Sequence, residues 1–154
     1  MGSPSNAPSS DITPTAMSHD RSWTVPCRLG PFSSAERAAD LGISLAPTVV
    51  IGHHLVAPID GRGWCERLVV VAETITASRV GARPLDETLR ALGRRIVVLY
   101  SRRSLDLTDD RDADDAVLTG SWLATAGIEL RDWFVVTRRT ARSIPGDFGL
   151  PRRW

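Results

Sequence analysis

Residues 102–115 read "RRSLDLTDDRDADD", a run of charge that sits between an apolar stretch and a helix-like pattern. Arg102 and Arg103 fall just before the expected helix start. Guanidinium forks beside free backbone N–H groups suit a phosphate or a carboxylate, so this pair is a candidate anion-binding site. The same arginines can pair instead with the acids that follow, Asp109, Asp110, Asp112, Asp114 and Asp115. Acids in the first turns of a helix also offset its positive end, and Thr108 or Asp109 suits its N-cap. The cluster therefore reads first as helix chemistry and second as the remains of a metal site. No histidine or cysteine lies in it.

Other reactive residues lie upstream. His53 and His54 are adjacent on an expected strand, so their side chains point to opposite faces. With Cys65 on the partner strand, one of them would give two zinc ligands where a catalytic zinc takes three. Glu66 and Glu73 are carboxylates of the same hairpin; a lone carboxylate with no metal beside it has nothing to activate, and a plain strand glutamate is the simpler reading. No Ser-His-Asp arrangement can be read from the spacing. Arg94 and Arg95 bracket the short strand from the end opposite Arg102 and Arg103, so the four do not form one patch. Arg138, Arg139, Arg142, Arg152 and Arg153 lead to Trp154, a basic end that can touch nucleic acid through phosphates and stacking. A solvated chain end is the alternative. Of the tryptophans, Trp122 and Trp133 are expected in the core, and Trp64, next to a turn, is expected exposed on a partner surface.

Composition narrows the chemistry further. All 19 basic residues are arginine, there is no glutamine, and Asn6 is the one asparagine. Without lysine there is no P-loop lysine and no Schiff base. The net charge of +1 gives no global pull towards nucleic acid. The longest apolar runs, such as residues 68–72, fall far short of the roughly 20 residues that span a bilayer. Two cysteines, Cys27 and Cys65, do not make a disulfide scaffold, which favours a reducing cytoplasm. Arginine without lysine, alongside abundant Ala, Val and Asp, suggests a GC-rich bacterial source.

The elements that must position these residues follow from periodicity. Residues 1–20 are rich in Ser and Pro and are expected to be a disordered leader, with Met17 an alternative start. Residues 32–42 carry a capping-box spacing from Ser33 to Glu36 and a stop at Gly42, predicting a short helix. Residues 46–60 and 64–75, joined by "GRG", predict a β-hairpin. Leu85, Leu89 and Leu92 predict an amphipathic helix over 84–95. Residues 96–100, "IVVLY", predict a strand covered on both faces. A helix over about 108–126, burying Val117, Leu118, Ser121, Trp122 and Thr125, leads to a strand at 128–137. The order predicts one α/β domain, a mixed sheet flanked by helices, over residues 21–144, with an Arg-rich tail at 145–154.

That order, together with particular residues, resembles the RadC-like branch of the JAB/MPN superfamily over roughly residues 46–144. Ser104, Asp106 and Thr108 fit the end of the family's zinc loop, His-x-His-Pro-Ser-Gly-Asp. Asp115, Thr119, Leu123, Gly127, Leu130 and Asp132 fit the helix and strand behind it, and residues 69–78 fit the second hairpin strand and its turn. The resemblance implies a fold layered like a cytidine deaminase. The metal histidines fall on Tyr100 and Arg102 in one register and on Arg102 and Ser104 in the other. The His of the Leu-Asp-His step is Trp133, and the loop proline is Arg103. Of the ligands, only Asp115 survives, and Arg102 would repel a dication. The resemblance thus implies a catalytically inactive domain without metal or cofactor, kept as a binding or scaffold module for a protein partner, in a DNA-repair or mobile-element setting. The alternatives are a hydrolase with a rebuilt site, metal-free or on His53, His54 and Cys65, and a nucleic-acid accessory protein using the arginine tail.

Overall fold

Strand β4 (Ile96–Arg102) lies inside a six-stranded sheet and carries the "IVVLY" run. Its composition follows from its place. Val97 and Leu99 pack into one apolar cluster with Trp133 and Val135, while Val98 and Tyr100 pack into another with Phe134 and Val136. A strand buried on both faces has no polar side to show.

The computed structural model describes residues 22–72, 90 and 93–154. Around β4 the strands are β1 (Ser22–Leu29), β2 (His54–Ile59), β3 (Cys65–Val71), β5 (Glu129–Val136) and β6 (Ala141–Ser143). Their order is β1-β3-β2-β4-β5-β6. Strands β4 and β5 are parallel and the other neighbours antiparallel. The described α-helices are α1 (Ala35–Leu45), α2 (Asp110–Thr125) and the single turn α3 (Ile144–Asp147), so this is a mixed α/β sheet with helices against it. A 3-10 turn at Ala46–Thr48 takes the place of the start of the strand expected over 46–60, and β2 begins only at His54. Most of the helix expected over 84–95 lies outside the described residues.

Strand β1 has no counterpart in the sequence reading. Pro26 interrupts its pattern, and proline argues against a central strand. As an edge strand paired only to β3, β1 tolerates it.

Two helices differ from expectation for physical reasons. Helix α1 is capped by Ser34, whose side chain accepts from the Arg37 N–H, and it continues through Gly42 to Leu45. Gly42 is there for close approach: a Cβ would meet the Tyr100 ring at 2.5 Å and Val136 at 2.9 Å. The Tyr100 hydroxyl donates to the Ala38 carbonyl at 2.7 Å, which fixes the ring against α1.

Helix α2 buries Asp112, Ala116, Thr119 and Leu123, not the expected face. Val117, Leu118 and Trp122 are 51%, 50% and 43% exposed, which corrects their core assignment; Trp133 is buried. The smaller set lets the helix lie close to the sheet, and Asp112 turns inward because it is bonded there.

Gly42→Ala gains about 1 kcal/mol of helix propensity but forces a methyl into the Tyr100 ring, an overpacking cost of about 1–3 kcal/mol. The expected net is destabilisation, read as a lower denaturant midpoint with unchanged slope; an unchanged or raised midpoint would show that α1 can move off Tyr100.

Candidate functional site

In open α/β sheets the ligand site lies beyond the carboxyl ends of parallel strands. Here that is the end of β4, where the chain leaves the sheet and enters α2. Strand alternation sends Tyr100 and Arg102 to the α1 side, and Ser101 to the α2 side. Each meets an internal partner.

Arg102 is 7% exposed. Its Nε donates to the Ala46 carbonyl at 2.9 Å, and a terminal nitrogen donates to the Arg103 carbonyl at 2.5 Å. Arg103 forks onto Asp112, with N···O distances of 2.6 and 3.0 Å, and also donates to the Leu107 carbonyl at 3.0 Å. Both arginines of the expected anion site are thus engaged by internal partners, Arg102 buried and Arg103 partly exposed. Asp112 also takes the Asp109 N–H at 3.0 Å, while the Asp109 carboxylate accepts from Asp112 N–H at 3.0 Å. This is a capping box built from two aspartates. Burial raises the Asp112 carboxyl, but Arg103 and the Asp109 N–H outweigh it and hold the group below its usual range. The Asp112 hydrogen bond raises Arg103 further, against its partial burial. Asp115, one turn on, is pushed up by burial and by the Asp112 charge, with Arg111 offsetting part of it. Ser104 is exposed.

On the α2 side, Ser101 is fully buried between two rings. Trp133 Nε1 donates to its Oγ at 2.9 Å, and His54 Nδ1 lies 2.8 Å from the same atom. A serine beside an imidazole has the makings of a nucleophile and its base. Ser101 has no exposed surface and its oxygen already takes the indole N–H, so no carbonyl can reach it. Burial first, then Arg103 and His53, lowers the His54 pKa to about 4. The imidazole is neutral at pH 7 and works as a core group.

The rebuilt zinc site does not assemble. His54 pairs in register with Val71, at the opposite end of β3 from Cys65. Six residues of strand separate them by roughly 20 Å. His53 packs edge-on against Trp23, with ring centroids 6.2 Å apart. Among the described residues no group of three or more His, Cys, Asp and Glu is placed to hold a metal. Zinc does not fit the β4 end either: Tyr100 donates towards α1, Arg102 is a cation, and Trp133 offers only an N–H donor. Glu66 is paired with Arg94 at 3.1 Å, and Glu73 lies outside the described residues.

The arginine tail also departs from expectation. The buried Asp132 accepts from Ser143 Oγ at 2.7 Å, from Arg152 at 2.7 and 2.9 Å, and from Trp154 Nε1 at 2.7 Å. The chain end is strapped to the sheet and is not a loose basic tail, because a fully buried carboxylate needs those donors. Arg142 lies near Asp147 at 3.5 Å and Asp106 at 3.9 Å. Arg138 and Arg139 sit past the end of β5, whereas Arg153 lines a groove with Ile128, Glu129 and Leu130 at its start. Eight residues of β5 put roughly 25 Å between them. The five arginines are spread along the sheet and are not gathered at one place.

Trp64 is half-buried under the Arg28 guanidinium, 4.5 Å from the ring centroid, so it is not the exposed partner residue expected. The exposed apolar side chains near β4 are Val50, Ile51, Leu105 and Leu107, at 57–66% exposure. They sit on two loops meeting at the end of β4, where Gly52 N–H donates to the Arg102 carbonyl at 2.8 Å. Sequence reading missed this rim and the Asp132 anchor. The signal for the anchor was present: Asp132 shares the two-residue parity of Phe134 and Val136, a position that faces inward. No helix of the described residues is long and apolar enough to cross a membrane.

No protein-family model matches the chain, and no curated protein matches it significantly.

A histidine with a lowered folded pKa binds its proton more readily in the unfolded chain. Its contribution is therefore complete above about pH 6.5 and is lost as pH falls towards 4, on the order of 3 kcal/mol for the shift from 6.5 to about 4. Unfolding free energy should rise with pH across that window, and His54→Asn should flatten the rise. An equal slope in the variant would place the titrating group elsewhere.

Proposed function

We propose that the chain is a non-catalytic binding or scaffold module on a JAB/MPN-like frame, serving a protein partner in a reducing cytoplasm. One observation carries the reading. At the end of β4, where such a frame would hold its metal and bind substrate, Arg102 is buried and Arg103 partly buried, and both are bonded to the protein's own Ala46, Leu107 and Asp112. Ser101 is sealed by Trp133 and His54. Side chains already bonded to one another in this way support a non-catalytic reading of this end of the sheet.

What this end does offer is surface. Val50, Ile51, Leu105 and Leu107 present apolar area on two adjoining loops, fastened beneath by Arg102 and Arg103. Apolar side chains held on a rigid base contribute contact area to a partner at little ordering cost. Asp106 and Asp110 lie beside Leu105 and Leu107 in sequence, so a partner with basic residues beside an apolar centre suits this side of the rim.

A photo-cross-linking residue at Leu105, introduced in the cell that makes the protein, is expected to trap one discrete partner. Leu107→Asp should cut that yield about ten-fold or more while leaving the unfolding temperature unchanged, since the side chain is exposed. No discrete product, or one that persists in the variant, would count against this surface.

A further inference from the structure

We propose that Cys27 and Cys65 form a thiol–disulfide redox site, oxidised by a low-molecular-weight disulfide such as oxidised glutathione, that staples β1 to β3. It lies away from the end of β4 and does not depend on the function proposed above.

The geometry points to it directly. The two sulfurs are 3.8 Å apart. A disulfide needs about 2.0 Å, so each sulfur has to move by roughly 1 Å, within reach of side-chain rotation. Both thiols are now held by backbone carbonyls, Cys27 donating to Cys65 O at 3.3 Å and Cys65 donating to Arg67 O at 3.2 Å. Those bonds hold the sulfurs side by side without joining them.

The backbone around Cys27 can yield. Its strand is an edge strand, and the β1–β3 register shifts between Pro26 and Leu29, leaving Cys27 between two ladder positions. A bulge absorbs small displacements that a continuous ladder resists. Exposure sets the order of events: Cys27 is half-buried and Cys65 buried.

Cys27 therefore reacts first. Its thiolate attacks one sulfur of glutathione disulfide; that S–S bond breaks, a Cys27–glutathione bond forms, and the departing glutathione thiolate takes up the proton Cys27 released. Cys65 then attacks the Cys27 sulfur, forming the protein disulfide and expelling the second glutathione with the Cys65 proton. Two electrons and two protons pass from the protein to glutathione. Burial pushes both thiols up, so attack is slow at neutral pH and quickens as pH rises. Contact between the sulfurs favours the second step over release.

The test is to incubate the folded full chain with glutathione disulfide at pH 7 and pH 9, alkylate under denaturing conditions, and measure intact mass. The expected product is a monomer lighter by two hydrogens with no alkylated cysteine, formed faster at pH 9 and reversed by dithiothreitol. Its link closes a separation of 38 residues, and the unfolding temperature should rise by roughly 10 °C. Cys65→Ala should stop at a Cys27–glutathione adduct. Cys27→Ser, at the half-buried edge position, should show neither adduct nor temperature shift. Two alkylatable thiols after full treatment, or disulfide-linked dimers in place of the monomer, would overturn the proposal.

Discussion

Arg103 holds both oxygens of Asp112 nine residues away, and the end of β4 takes its character from that contact. The fork ties the loop after β4 to the first turn of α2. The same carboxylate accepts the Asp109 N–H, so one buried group fixes the loop, the helix cap and the rotation of the helix. With Asp112 turned inward, the helical period places Ala116, Thr119 and Leu123 on the sheet and Val117, Leu118 and Trp122 outside. A charge pair that fully satisfies its partners specifies an arrangement more than it stabilises one. Here it specifies a closed loop.

Asp132 plays the corresponding part at the far edge of the sheet. A carboxylate with no exposed surface is tolerable only with several donors, and Ser143, Arg152 and Trp154 supply them from the chain that follows β5. The Arg131 guanidinium lies 5.6 Å from the Trp154 ring centroid and adds a cation–π contact. Arginine-rich composition therefore serves internal order at both ends of the β4–β5 pair. The absence of lysine fits this use, since planar forks match paired carboxylate oxygens.

The sheet elements were legible where periodicity is strong. Strand β4 announced itself as an unbroken apolar run, and the 61–63 turn placed the hairpin of β2 and β3. Helix α2 was legible in extent but not in rotation. Its largest apolar residues face outward because a polar contact outside the helix, to Arg103, sets its phase, and hydrophobic patterning alone carries no record of that contact. Strand β1 was hidden by Pro26, whose tolerance depends on an edge position unknowable from local sequence. Gly42 read as a helix stop because a long-range approach to Tyr100 leaves the same signature as a C-cap. At the candidate site, the internal use of Arg103 was one of two readings the local charges allowed, and the distances decide between them. The pairing of Ser101 with His54 and Trp133 joins residues 32 and 47 positions apart, which spacing does not reveal.

The most direct measurement is zinc stoichiometry on untagged, chelator-free protein dialysed against micromolar zinc, read by elemental mass spectrometry. A closed, internally bonded β4 end predicts far less than one equivalent, unchanged in His54→Asn. One full equivalent, lost in that variant, would contradict it and restore a metal site to this end of the sheet.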